Sequence, residues 1–182
     1  MLVTSDAFVV PLKRFDFAKE RLRAAGIDDV TQRARQMASD VLTSCAPRHV
    51  IVLSESEDIT AFAHGHGVEV WTSSAGNLND AVQGAYADLS TRFERLIVVH
   101  GDLRDPSGLG SFNPDAGVTI VSDHHGTGTN VLVVPTGLDF RFAYGPDSAR
   151  QHVAEAKRLD LAWRVVTDSP WRFDVDEPAD LL

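Results

Sequence analysis

Four apolar runs constrain this chain most: "HVIVLS" (49–54), "RLIVVHGD" (95–102), "GVTIVSD" (117–123) and "NVLVVP" (130–135). A strand with one wet face alternates apolar and polar residues. A strand apolar at successive positions must be covered on both faces. "AFVVPLK" (7–13), "VEVWT" (68–72) and "AWRVVTD" (162–168) read as further strands. Helical segments fall between them. In 28–45, Val30, Ala34, Met37, Ala38, Val41 and Cys45 recur at helical spacing. "DFAKERLRAAG" (16–26) reads as a short helix with Asp16 as cap and Gly26 as stop. "ESEDITAFAHGHG" (55–67), "NLNDAVQGAYADLSTRF" (77–93, capped by Asn77 or Asn79) and "PDSARQHVAEAKRLDL" (146–161) read as helices too. "DVDEPADLL" (174–182) reads as a turn into a terminal helix. Strands alternating with helices predict an α/β three-layer sandwich around a mainly parallel sheet, with residues 1–182 as one domain.

The net charge of −9 argues against a nucleic-acid partner, and any polyanionic ligand then needs a local positive site or a metal ion. One cysteine excludes an internal disulfide and a multi-cysteine zinc site. No run approaches the ~20 apolar residues of a membrane span. "MLVTSDAFVV" has no basic region before its apolar run, which argues against a signal peptide. The expectation is a cytoplasmic protein with no membrane partner.

Open α/β sheets bind ligands beyond the carboxyl ends of their strands. Lys13 follows the first strand, "SSAGNLND" (73–80) the third, "HGDLRD" with Asp102 the fourth, and "DHHGTGTN" (123–130) the fifth. Asp174 and Asp176 flank Val175, so an extended backbone points both carboxylates to one side. Close carboxylates repel unless one is protonated or a cation lies between them, and magnesium favours such oxygen ligands. Asp176 before "EPAD" equally reads as a helix cap. "GTGTN" offers N–H groups that an anion can approach closely, or simply a tight turn between strands. Lys13, Lys19 and Arg21 form a basic cluster suited to a triphosphate, or the solvated start of a helix. His64, His66, His124 and His125 lack zinc-ligand spacing, and no G-x-S-x-G elbow occurs.

"VVPLKRFDFAKERL", "NLNDAV", "GDL", "DHHGTGTNVL", "YGPDSARQHVAEA" and "DVDEPADL" occur in the order found in the 2-phospholactate and phosphoenolpyruvate guanylyltransferases of coenzyme F-420 biosynthesis. The chain resembles that family from about residue 8 onward. The resemblance implies the nucleotidyltransferase fold (GT-A-like), shared with nucleoside-diphospho-sugar transferases. It implies transfer of GMP from GTP to phosphoenolpyruvate or 2-phospholactate, with release of pyrophosphate. Asp102, Asp174 and Asp176 are then expected to bind magnesium (Mg2+), and with Lys13 to be catalytic. Lys13, Thr129, Gly145 and Ser148 are expected at the phosphorylated acid, and Lys19, Asn79 and Asp102 at the nucleotide. Gly145 and Ser148 open a helix whose N-terminus suits an anion, although Ser148 also reads as a cap. The sequence departs from the family's usual residues at Arg104, His124 and Asn77. GTP and a phosphorylated three-carbon acid are the expected partners, with a homodimer and a hand-off to a downstream transferase as further expectations. Two alternatives stay open: another nucleotide or acceptor, and a catalytically silent nucleotide-binding protein.

Overall fold

The computed structural model describes residues 4–72 and 76–181; the first three residues of "SSAGNLND" lie outside that set. The apolar runs form one seven-stranded sheet. Its strands are β1 (Thr4–Pro11), β2 (His49–Leu53), β3 (Glu69–Trp71), β4 (Phe93–Val99), β5 (Val118–Ser122), β6 (Thr129–Pro135) and β7 (Trp163–Val166), in the spatial order β3-β2-β1-β4-β6-β5-β7. Pairs β1–β2, β1–β4, β2–β3 and β5–β7 are parallel, whereas β6 pairs antiparallel with both β4 and β5. The sheet is therefore mainly parallel, with β6 alone reversed.

The helices are α1 (Glu20–Ala24), α2 (Val30–Ser44), α3 (Glu57–Gly65), α4 (Leu78–Leu89) and α5 (Ser148–Arg158). Strand alternation divides the core into two layers. Phe8, Val10, Val52 and Ile97 pack with Ala34 and Val41 of α2 and Ile59 and Phe62 of α3. Ala7, Val9, Ile51 and Leu96 pack on the opposite face with Val82 and Ala85 of α4 and Ala149 and Ala156 of α5. Two-sided burial is why β1 reads as an unbroken apolar run. Cys45 is fully buried in the first layer, and burial pushes its thiol up to about 12. At the sheet edge where β1 and β4 begin, buried Asp6 accepts from Arg48 (2.6 Å) and Arg95 (2.7 Å).

Two local expectations need correction, and a third, left between two residues, is decided. Asp16 does not cap α1: it pairs with Arg14 at 2.6 Å, and α1 starts three residues later than a cap at that position requires. Asn77, not Asn79, caps α4, its side chain accepting from the Asp80 N–H at 3.0 Å. The terminal helix is a single 3-10 turn, Pro178–Leu181, and its cap works in reverse. Asp180 reaches back to accept from the N–H groups of Asp176 (2.9 Å) and Glu177 (2.7 Å). Among the described residues, no helix is long and apolar enough to cross a membrane.

Candidate active site

The strand ends open on a cleft of about 1410 Å³. Its lining includes Leu12, Lys13, Ser54, His100, Thr129, Tyr144 and Ser148, together with Asp102, Asp174 and Asp176. Backbone pairing across a long sequence gap brings the aspartates together. Leu103 and Asp174 form an antiparallel bridge, the Val175 N–H donates to the Asp102 carbonyl (3.1 Å), and the Arg104 N–H donates to the Phe173 carbonyl (2.7 Å). Val175 turns away and is buried against Leu22 and Val30, which leaves its two neighbours facing the cleft. One oxygen from each of the three aspartates lies within 4.8 Å of the others.

Such a cluster needs positive charge. Lys19 supplies part of it: its ammonium donates to Asp102 and, at 2.7 Å, to Asp176. Its side chain is only 7% exposed, and its backbone adopts φ 60°, a left-handed conformation that a lysine adopts at a cost of about 1 kcal/mol or more. Burial alone would lower the Lys19 pKa; the charges and hydrogen bonds of Asp102 and Asp176 outweigh it and raise it. Asp174 is held above the ordinary carboxylate range, first by burial and then by Asp102 and Asp176, against a hydrogen bond from Asn130 (3.2 Å). Asp102 Oδ1 is buried without a hydrogen-bond partner. Three clustered hard oxygen donors, one of them unsatisfied, fit a divalent cation such as magnesium.

The expected acceptor residues also gather here. Lys13 is exposed on the cleft wall, with no ion-pair partner among the described residues. Gly145 has φ 131°, a conformation that side chains rarely adopt, and nothing lies where a Cβ would stand. Thr129 and Ser148 are 2% exposed and joined hydroxyl to hydroxyl at 3.1 Å. Ser148 is therefore not the cap of α5. The helix N-terminus is also less open to an anion than expected. The Ser148 N–H donates to the Gly145 carbonyl (3.2 Å) and the Ala149 N–H to the Thr127 carbonyl (3.0 Å).

The glycine-threonine loop likewise folds onto itself. The Gly126 N–H donates to the Asp123 carbonyl (3.0 Å) and the Thr127 N–H to the Asp123 carboxylate (2.8 Å), while Gly128 lies so close that a Cβ would stand 2.7 Å from that carboxylate. The turn reading holds for 123–128; the open anion cradle does not. Asn79 lies off the cleft wall. Its amide spans Tyr144, donating to the carbonyl (2.9 Å) and accepting from the N–H (2.6 Å).

Family membership can be settled independently of this geometry. Residues 7–182 match the family model described as "Guanylyl transferase CofC like". The chain belongs to the CofC-like guanylyl transferase family. CofC-like relatives include a phosphoenolpyruvate guanylyltransferase of Chloroflexus aggregans, 30% identical over 92% of this chain and 91% of that protein. Another, of Nocardia farcinica, is 34% identical over 95% of this chain and 82% of that protein. Solved structures agree on the fold. A nucleotidyl transferase from Methanothermobacter thermautotroptrophicus gives a TM-score of 0.69 at 13% identity, over 98% of this chain and 94% of that one. A Mycobacterium tuberculosis protein solved as a manganese complex gives 0.61 at 16% identity, over 99% and 97%.

Within this CofC-like site, four residues escaped the sequence reading. Asn130 holds Asp174, and also donates to the Trp171 carbonyl at 3.1 Å. His100 Nε2 and Tyr144 Oη are buried on the cleft wall without hydrogen-bond partners. His152 is fully buried against Thr129. For His152 a signal existed: it stands four residues after Ser148, on the same helical face.

Proposed function

We propose that this protein is a magnesium-dependent guanylyltransferase of coenzyme F-420 biosynthesis. It joins GMP from GTP to the phosphate of a three-carbon acid, phosphoenolpyruvate foremost, and releases pyrophosphate. The observation that carries this reading is the convergence of Asp102, Asp174 and Asp176 within 4.8 Å at the strand-end cleft. The names of the relatives support the nucleotide and the acceptor.

The acceptor phosphate attacks the α-phosphorus of GTP; a new P–O bond forms as the bond to the pyrophosphate oxygen breaks. A phosphate monoester has a second pKa near 6, so the nucleophile is ionised at neutral pH and needs no general base. The remaining work is alignment and charge neutralisation among repelling anions. Asp102, Asp174 and Asp176 would hold magnesium, which supplies charge neutralisation and phosphate orientation when bound. Lys19 adds positive charge on those carboxylates, and Lys13 adds it elsewhere in the same cleft. Thr129 and Ser148 present hydroxyls, and Gly145 lets the backbone approach, on the acceptor side.

The test is pyrophosphate release from each of the four nucleoside triphosphates, with phosphoenolpyruvate or 2-phospholactate, with and without magnesium. Turnover restricted to GTP and dependent on magnesium supports the reading. A GTP-dependent thermal shift with no turnover on either acid would instead make the protein a silent nucleotide binder.

A further inference from the structure

His152 is buried at the first turns of α5, and both its ring nitrogens are engaged. The Ala143 N–H donates to Nε2 at 3.1 Å, and Nδ1 meets Thr129 Oγ1 at 3.1 Å. A backbone N–H can only donate, so Nε2 must accept and the ring proton must sit on Nδ1. Nδ1 is thereby a donor to the Thr129 hydroxyl. Ser148 Oγ lies 3.1 Å from the same oxygen, and either hydroxyl can donate to the other. The Nδ1–H fills one acceptor position of Thr129 and keeps the threonine's proton turned away from the ring, towards Ser148 or the cleft. Whichever hydroxyl donates, the Thr129–Ser148 pair keeps one proton that no other acceptor meets among the described residues. Thr129 lines the cleft.

We propose that His152 is a positioning residue for the acceptor: through its Nδ1–H it holds the Thr129 hydroxyl so that the Thr129–Ser148 pair turns its one free proton to an anionic oxygen of the phosphorylated acid. This rests on the function proposed above. Without that donor the hydroxyl has a free lone pair, can rotate, and must be reoriented each time the acid binds. The GTP side of the cleft does not depend on this relay.

Two variants separate positioning from packing. His152→Gln places its amide near the Nε2 position, so it keeps an acceptor for Ala143 and removes the donor to Thr129. His152→Asn places its amide near the Nδ1 position, so it keeps the donor and gives up the acceptor. The measurements are KM for phosphoenolpyruvate and for GTP, in each variant and in a Thr129→Val background. His152→Gln is expected to raise the acid KM about tenfold, the scale of one hydrogen bond, with the GTP KM within twofold of wild type. His152→Asn should stay within threefold on both. In Thr129→Val, which already lacks the hydroxyl, His152→Gln should add nothing. Equal effects of the two variants, or an undiminished effect of His152→Gln in Thr129→Val, overturn the positioning role while leaving the guanylyltransferase reading intact. A wild-type protein that turns over neither acid overturns both.

Discussion

Lys19 and Asp176 stand 157 residues apart in the chain and 2.7 Å apart in space, Nζ to Oδ1. With Asp102 on the same ammonium, this contact ties the start of α1 to the segment that carries two of the three clustered carboxylates. Replacing Lys19 with methionine removes the charge and keeps most of the stem. Without magnesium, Lys19→Met should lose roughly 1–2 kcal/mol of stability, a modest figure because Asp176 is 54% exposed. Added magnesium should then raise the melting temperature more in the variant than in wild type, since it relieves a larger repulsion. Thermal scans with and without the ion check this; an equal gain in both proteins would show that Lys19 does not balance the cluster.

Asp174 carries the opposite expectation for stability. Burial and two neighbouring carboxylates already disfavour its charged form. An asparagine can keep accepting from Asn130, as Asp174 Oδ1 does. Asp174→Asn should therefore match or exceed wild type by about 1 kcal/mol in metal-free urea denaturation, while turnover falls by two or more orders of magnitude. A metal-free variant clearly weaker than wild type would contradict this account of the cluster.

Asn79 acts through the backbone of Tyr144, just before Gly145. Asn79→Ala leaves both an N–H and a carbonyl without their partner, at about 1–3 kcal/mol. The segment leading to Gly145 and Ser148 loosens with it. A several-fold rise in acid KM, with GTP KM little changed, is expected from steady-state kinetics. A rise confined to GTP would instead make Asn79 the nucleotide contact expected from the sequence.

His152 predicts a pH dependence of stability. Burial, then the nearby His100, lower its pKa from 6.5 to about 4, against a smaller opposing effect of Glu155. Above about pH 6.5 the ring is neutral in both folded and unfolded chains, and its contribution is complete. As the pH falls from 6.5 towards 4, the unfolded chain takes up a proton that the folded protein refuses, so stability is lost across that window, about 3 kcal/mol in all. The stability gap between wild type and His152→Gln, measured by urea denaturation, should therefore shift against wild type by roughly 2 kcal/mol between pH 7 and pH 5.

The strands were legible because two-sided burial leaves a plain mark: residues 96–99 of β4 and 131–134 of β6 are unbroken apolar runs. The Asp174 and Asp176 pairing was legible because an extended backbone alternates, and Val175 went inward as that alternation requires. The direction of β6 was not, since an apolar run reads the same either way. Nor was the Leu103–Asp174 bridge, which joins distant segments through backbone atoms alone. Asp123 as the centre of its loop was hidden for a related reason. Glycines and threonines can serve an anion or a neighbouring carboxylate, and only the fold shows which is in reach. His124, one of the departures from the family pattern, stacks on Phe173 with ring centroids 5.6 Å apart.

The reversal of β6 has a consequence for how this enzyme family can diversify. Running against its neighbours, β6 begins where β4 ends, and the His100 N–H donates to the Asn130 carbonyl at 3.0 Å. Thr129 and Asn130 are thus anchored in the ladder of the sheet and do not hang from the hairpin tip that precedes them. The exposed tip at His125 and Gly126 can change without carrying those two anchors along. Such an arrangement lets the tip drift on an evolutionary timescale while the frame beside the clustered carboxylates stays still.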